Sequence, residues 1–290
     1  MQEGRQIRTI KDLPREERFA PGHAMCAGCG AAIAMRWLNK YIGGDNAIIA
    51  NATGCVEVTT TTYPPYTAWR NPWIHVAFEN AAAVASGLRK GIDVLKRKGA
   101  WKNGGDTRIV VVGGDGGTVD IGLQSLSGML ERGDKVMYFL YDNEAYMNTG
   151  IQRSGATPMY AWTTTTPVGG HVLHGKPQMK KDIFDIVLAH GIKYAATATI
   201  SDVIDMSNKI RKAMDYSEEG GPTFIHVLSP PCPPGWKYDE SKTVEVAKKA
   251  IETAYWINLE YDHGVWSVTT KVPVRKPVSE FLRMQAGSPT

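Results

Sequence analysis

Arg108-Ile109-Val110-Val111-Val112-Gly113-Gly114-Asp115-Gly116-Gly117 is the stretch on which the reading of this chain turns. Its first half is a continuous apolar, β-branched run without polar alternation, the pattern of a strand covered on both faces. Its second half is a glycine-rich turn, and Asp120–Glu131 beyond it has helical spacing. Glycine lets a backbone approach a phosphate closely, and the helix that follows offers free N–H groups and a positive dipole end. Taken alone, Gly114-Asp115-Gly116 is better explained as a tight turn that needs glycine.

Outward from this stretch the alternation repeats. Strands are predicted at Ala47–Asn51, Trp73–Phe78, Arg108–Gly113, Lys135–Tyr141, Lys193–Ala196 and Thr223–Leu228, with helices at Ala31–Tyr41, Asn80–Lys98, Asp120–Glu131, Asp182–His190 and Val203–Tyr216. This order predicts an α/β domain with a mostly parallel sheet and helices on both faces. From Ser241 the pattern changes. Lys242–Tyr261 reads as one long helix, with Val244, Ala247, Ile251 and Ala254 on one face and Glu245, Lys248, Lys249 and Glu252 on the other. The remainder, through Lys271–Pro277, is proline-punctuated and predicts an extended arm. The chain thus divides into an N-terminal arm (1–18), an α/β domain (19–240) and a C-terminal helix with its arm (241–290).

Composition narrows the function classes. The 290 residues are 43% hydrophobic, enough for a sizeable core, and the net charge of +4 is spread without a basic block, so nucleic acid is not a predicted partner. The longest apolar runs are strand-sized, far short of the roughly 18–20 residues that span a bilayer. The N-terminal residues are polar and charged and show no secretory h-region. A cytoplasmic location is therefore predicted, where clustered cysteines serve as metal ligands or catalytic groups more often than as disulfides.

Open parallel sheets bind ligands beyond the carboxyl ends of their strands. Cys55, Asp115, Asn143 and Cys232 each follow a predicted strand, so one sheet edge gathers them. The four cysteines are Cys26 and Cys29, in a C-x₂-C unit, and the single Cys55 and Cys232. The C-x₂-C unit is not repeated nearby as in zinc ribbons, and it lacks a thioredoxin-like context. By spacing alone, a [4Fe–4S] cluster and a zinc ion are about equally good readings.

Asn143 lies 28 residues after Asp115, in Tyr141-Asp142-Asn143-Glu144-Ala145-Tyr146-Met147-Asn148 at the end of the next strand. The pair resembles the thiamin diphosphate motif. That resemblance implies a Mg²⁺ held by Asp115, Asn143 and the carbonyl of Ala145, with Gly114 and Gly116 beside the diphosphate. Many thiamin enzymes carry asparagine where Asp142 stands, and a turn-capping role suits it here. The segments His23–Gly30, Gly54-Cys55 and Pro231–Trp236 resemble the ligand set of the thiamin-proximal cluster in pyruvate:ferredoxin oxidoreductases. So do Glu57–Thr60, Tyr66–Trp69, His75–Ala82 and Pro277–Leu282, and the likeness runs from about Pro14 to Gln285.

The chain is thereby identified as a member of the β-subunit family of 2-oxoacid:ferredoxin oxidoreductases, with the pyruvate enzyme the nearest likeness. The resemblance implies a CoA-dependent oxidative decarboxylation of pyruvate to acetyl-CoA and CO₂. Electrons pass through one [4Fe–4S] cluster on Cys26, Cys29, Cys55 and Cys232 to ferredoxin. It also implies partners: an α-type subunit that supplies the activating glutamate, and γ-type and ferredoxin-like δ-type subunits. Asn148 resembles a residue facing the substrate, with loop stabilisation an equal alternative. His23, and His75 paired with Glu79, are read as structural rather than as site groups. Arg70 and Arg153 are isolated and form no cluster for a second substrate carboxylate, which favours a small 2-oxoacid. Oxalate and branched-chain 2-oxoacids remain open alternatives, and a structural zinc module is the alternative of another class.

Overall fold

A computed structural model describes residues 6–42, 46–61, 67–102, 107–231 and 233–285. In chain order its elements are α1 (Gly30–Tyr41), β1 (Ala47–Ala52), α2 (Cys55–Thr60), β2 (Trp73–Val76), α3 (Ala81–Arg97), β3 (Arg108–Gly114), α4 (Leu123–Glu131) and β4 (Met137–Asp142). They continue as α5 (Ile183–Leu188), β5 (Tyr194–Thr199), α6 (Val203–Gly220), β6 (Thr223–Leu228), α7 (Pro233–Trp236), α8 (Thr243–Glu252), β7 (Leu259–Asp262), β8 (Val265–Val268) and α9 (Val278–Leu282). None of the described helices is long and apolar enough to cross a membrane.

One sheet runs in the order β2-β1-β3-β4-β6-β5-β7-β8. Strands β1 to β6 pair in parallel, and β7 and β8 add an antiparallel edge. Strands β3 to β6 are almost wholly buried because both faces are covered. Val110, Val112, Phe139 and Ile225 point to the layer of α1 and α6, while Ile109, Val111, Leu140 and Phe224 point to that of α3 and α4. Each fully buried aliphatic contributes roughly 1.5–3 kcal/mol. Acidic caps start two of the helices: Asp182 accepts the Asp185 N–H (3.1 Å) and Asp202 accepts the Asp205 N–H (3.0 Å). From β1 the chain proceeds outward to β2, and from β3 it proceeds the other way to β4. The crevice between the carboxyl ends of β1 and β3 is therefore the topological switch point, where open α/β sheets bind ligands.

The six predicted strands are present, and the helices fall where the periodicity places them. The long helix predicted over Lys242–Tyr261 does not form. Helix α8 stops at Glu252, Ala254 takes a left-handed φ of +54°, and the chain returns as the β7–β8 hairpin. The exposed backbone edge of β5 explains the reversal. Residues Glu260, Tyr261 and Asp262 pair with Ala196, Ala195 and Tyr194, and the hydroxyl of Thr197 accepts the Leu259 N–H at 2.7 Å. At the other end, Ile7 is pinned to α6 by two hydrogen bonds with Asn208 (3.0 and 2.8 Å). Glu17 meets Arg36 and Lys40 of α1 at 2.7 and 2.6 Å.

Candidate active site

Asp115 closes β3 and Asn143 follows β4, so sheet pairing sets them side by side at the switch-point edge. Residues 116–120 form a wide π-type turn before α4. Gly116 must lack a side chain, because a Cβ there would collide with the Tyr146 ring. Asp115 is 1% exposed, Asn143 5% and Ala145 4%. The second carboxylate oxygen of Asp115 accepts the Ser154 hydroxyl. Burial pushes the Asp115 carboxyl well above the usual range, and neighbouring Asp142 adds to the rise. An ionised Asp115 at this depth calls for a cation.

The Asn143 amide shows where that cation fits. With Nδ2 directed at Cys55 Sγ (3.8 Å), its oxygen stands 2.9 Å from the Ala145 carbonyl oxygen and 2.9 Å from Asp115 Oδ1. The amide oxygen then faces two further acceptors with no donor between them. Reversing the amide makes Nδ2 a donor to both oxygens, at the cost of the sulfur contact. The alternative is a metal ion. Mg²⁺ takes oxygens at about 2.0–2.1 Å, so neighbouring oxygens of its octahedral shell lie about 2.9–3.0 Å apart. A carboxylate, an amide and a carbonyl at this spacing fit Mg²⁺.

Behind the triad lies a charged network. Asp142 accepts its own turn's Glu144 N–H (2.9 Å), as a cap, but it also binds Lys180 Nζ (2.8 Å) and His226 Nε2 (2.8 Å). Lys180 reaches Glu144 at 2.9 Å, and both oxygens of Glu144 accept the Tyr255 hydroxyl (2.9 and 2.8 Å). Burial opposes ionisation of Asp142, yet Lys180 and His226 hold its carboxyl well below the usual range. Burial likewise works against the Lys180 cation, and Asp142 and Glu144 overcome it. His226 is pushed down by burial, against the pull of Asp142, so it serves as a neutral donor. The clamp holds Glu144, which has a left-handed φ of +64°, in the turn that places the Ala145 carbonyl 2.9 Å from the Asn143 amide. Ser154, Lys180, His226 and Tyr255 carried no motif, and their parts follow from the fold alone.

The cysteines are arranged more loosely. Cys29 caps α1 and its N–H bonds to the Cys26 carbonyl at 3.1 Å. Cys55 begins α2, next to Gly54, where a Cβ would meet the Tyr141 hydroxyl at 2.8 Å. The Gly30 N–H bonds to the Pro230 carbonyl at 3.1 Å, which brings the chain leading to Cys232 against the C-x₂-C unit. Cys232 itself lies outside the described residues. Burial raises the Cys29 thiol, whereas Cys26 is exposed. Among the described residues no three His, Cys, Asp or Glu side chains converge as a ligand group.

The remaining predicted positions divide. Asn148 is exposed on the loop after the triad. His23 accepts the Met25 N–H (3.4 Å) and packs on Phe19. The His75–Glu79 pair does not form: His75 meets the Thr53 hydroxyl (3.1 Å) and Glu57 (3.4 Å), because both follow β1, the strand beside β2. Arg70 and Arg153 are exposed.

Residues 52–227 match the family model described as thiamine pyrophosphate enzyme, C-terminal TPP binding domain. Pyruvate synthase subunit PorB of Methanocaldococcus jannaschii is 52% identical over 276 residues, covering 95% of this chain and 90% of that protein. PorB of Thermotoga maritima is 49% identical, covering 93% and 82%. Ketoisovalerate oxidoreductase subunit VorB of Pyrococcus abyssi is 44% identical, covering 94% and 86%. The fold is shared with a 2-oxoglutarate:ferredoxin oxidoreductase from Magnetococcus marinus, at a TM-score of 0.59, 20% identity, and coverage of 94% and 92%. On this likeness, the chain belongs to the thiamine pyrophosphate enzymes and, within them, to the PorB-type subunits of pyruvate synthase.

Proposed function

We propose that this chain binds thiamine diphosphate through Mg²⁺ on Asp115, Asn143 and the Ala145 carbonyl, and holds one [4Fe–4S] cluster on Cys26, Cys29, Cys55 and Cys232. Its reaction is the CoA-dependent oxidative decarboxylation of pyruvate, with ferredoxin as electron acceptor. The observation that carries the reading is the oxygen triad at 2.9 Å spacing, with Cys55 on the other side of the same amide. When bound, thiamine diphosphate supplies the electron sink for loss of CO₂.

The chain's own residues prepare the place. Asp115 contributes the negative charge that a dication needs. Ser154 orients that carboxylate, and the Lys180–Asp142–Glu144 clamp fixes the Ala145 carbonyl. Asn148 stands on the exposed rim, where substrate arrives. Glu144 is engaged by Lys180 and Tyr255, and Glu57 by His75 and Thr61, so neither is available to activate the cofactor's aminopyrimidine. This supports a glutamate from an α-type subunit, with γ-type and ferredoxin-like δ-type subunits completing the complex.

Anaerobic purification of the complex with cofactor and metal analysis tests the reading. One thiamine diphosphate per chain is expected, with about four irons per chain beyond those of the ferredoxin-like subunit, from the cluster stoichiometry. Zinc in place of those four irons would overturn the cluster. The substrate is tested by kcat/KM across pyruvate, 2-oxoisovalerate, oxalate and 2-oxoglutarate, since that ratio measures discrimination. The 44% identical VorB relative makes 2-oxoisovalerate the second reading. A preference for it would overturn pyruvate and leave the cofactor sites standing.

A further inference from the structure

The two ends of the Asn143 amide face different partners. One amide position lies 2.9 Å from both the Ala145 carbonyl oxygen and Asp115 Oδ1, and the other lies 3.8 Å from Cys55 Sγ, 88 residues earlier in the chain. We propose that Asn143 couples the two cofactor sites: a cation among the three oxygens fixes the amide so that its N–H donates to the Cys55 thiolate. This rests on the proposed ligand set for the cluster.

The coupling follows from the chemistry of an amide, which has an acceptor at one end and donors at the other. Without a cation, reversal is favoured, because the nitrogen then donates to Ala145 O and Asp115 Oδ1 at 2.9 Å each. The sulfur then faces a carbonyl oxygen instead of a donor. With a cation, reversal would aim N–H at the metal, so the nitrogen must stay on the sulfur. Swinging away is also blocked, since Asn143 is buried in a turn pinned by the Asp142–Glu144 bond and by Lys180. A donor to a cluster thiolate stabilises the reduced, more negative cluster and raises its potential. Loading the metal-bound cofactor thus makes the cluster a better electron acceptor, and Asn143 is a positioning residue for electron transfer.

The test uses the intact, anaerobically prepared complex, with asparagine ¹⁵N-labelled at the side-chain amide. Pulsed EPR of the reduced cluster should show ¹⁵N coupling in the thiamine-diphosphate-loaded complex and its loss in the cofactor-free complex. The Asn143→Asp variant retains a ligand oxygen and loses the donor. It should keep its iron and thiamine diphosphate, lose the ¹⁵N coupling and show a cluster of lower potential. Absence of ¹⁵N coupling in the loaded wild type, with about four irons present beyond those of the ferredoxin-like subunit, would overturn the coupling whatever the variant does. A potential that falls in the variant while the wild type shows no coupling is a charge effect and also overturns it. Absence of iron from the wild type would sink the cluster reading instead, a separate outcome.

Discussion

The oxygen triad and the cysteine set lie on either side of one amide, yet they are built in opposite ways. Asp115, Asn143 and Ala145 come from a single strand–helix–strand unit and lie almost wholly inside the protein, with the Asn143 amide 2.9 Å from each of the other two oxygens. The cysteines come from three distant segments. Cys26 is exposed, Cys29 and Cys55 are part-buried, and among the described residues no three His, Cys, Asp or Glu side chains form a ligand group. The difference teaches where the ordering free energy comes from. The sheet and its buried clamp preorganise the oxygen site before any ligand arrives. The proposed cluster would supply the bonds that draw its own loops together, as metal binding does when a site is not preformed.

The largest expected effect is at the triad. Asp115→Ala should abolish retention of thiamine diphosphate while the apo protein melts no lower than wild type, because it removes a carboxyl whose ionisation burial and neighbouring Asp142 oppose. Cofactor content in the purified variant together with a thermal melt checks this, and normal content would remove Asp115 from the site. On the cysteine side, Cys26→Ser and Cys232→Ser should damage the same EPR signal and lower the iron, with thiamine diphosphate still bound to the protein. An unchanged signal in either variant removes that cysteine from the ligand set, and loss of thiamine diphosphate in both would break the contrast between the two sites.

A smaller but definite effect is expected in the clamp. Lys180→Met leaves Asp142 and Glu144 buried without their shared cation and should cost about 3–5 kcal/mol, the usual penalty for breaking a buried pair. Denaturant unfolding of the apo chain measures it, and a loss under about 1 kcal/mol would show that the clamp does not hold the triad in place. The smallest effect belongs to the arm that leads into Cys26. Arg36 holds the Glu17 carboxyl down to about 2, against burial and with help from Lys40. Its folded value lies below the ordinary one of about 4.3, so its contribution is present above that value and fades as pH falls toward the folded one. Glu17→Gln should therefore cost about 1 kcal/mol or less at pH 7, and the difference should close in acid. A gap that persists at pH 2 would mean that packing, not charge, anchors the arm.

The β7–β8 hairpin shows how local pattern misleads. Val244, Ala247, Ile251 and Ala254 keep helical spacing, but the spacing says nothing of an unpaired strand edge elsewhere. Covering β5 outweighs continuing α8, and the left-handed Ala254 is where the competition is resolved. His75 is a similar case. Sequence proximity suggested Glu79 four residues on, whereas the parallel pairing of β1 with β2 brings Glu57 instead. Asp142 was legible as a turn cap, and its Glu144 N–H bond is present. Its partners Lys180 and His226 were not legible, since they lie 38 and 84 residues away.

The sequence by itself determined the alternating α/β order and the strands at the core, and it put Asp115, Asn143 and Ala145 in one strand–helix–strand unit. Each depends on local periodicity or on one unit about 30 residues long, so the physics that sets it is written contiguously. Tertiary structure alone decided the switch-point crevice, the Lys180–Asp142–His226 clamp, the hairpin that ends the sheet and the contact from Asn143 to Cys55. Those depend on which strands neighbour one another, and a buried charge or an amide finds its partner across the sheet edge, where sequence distance carries no information.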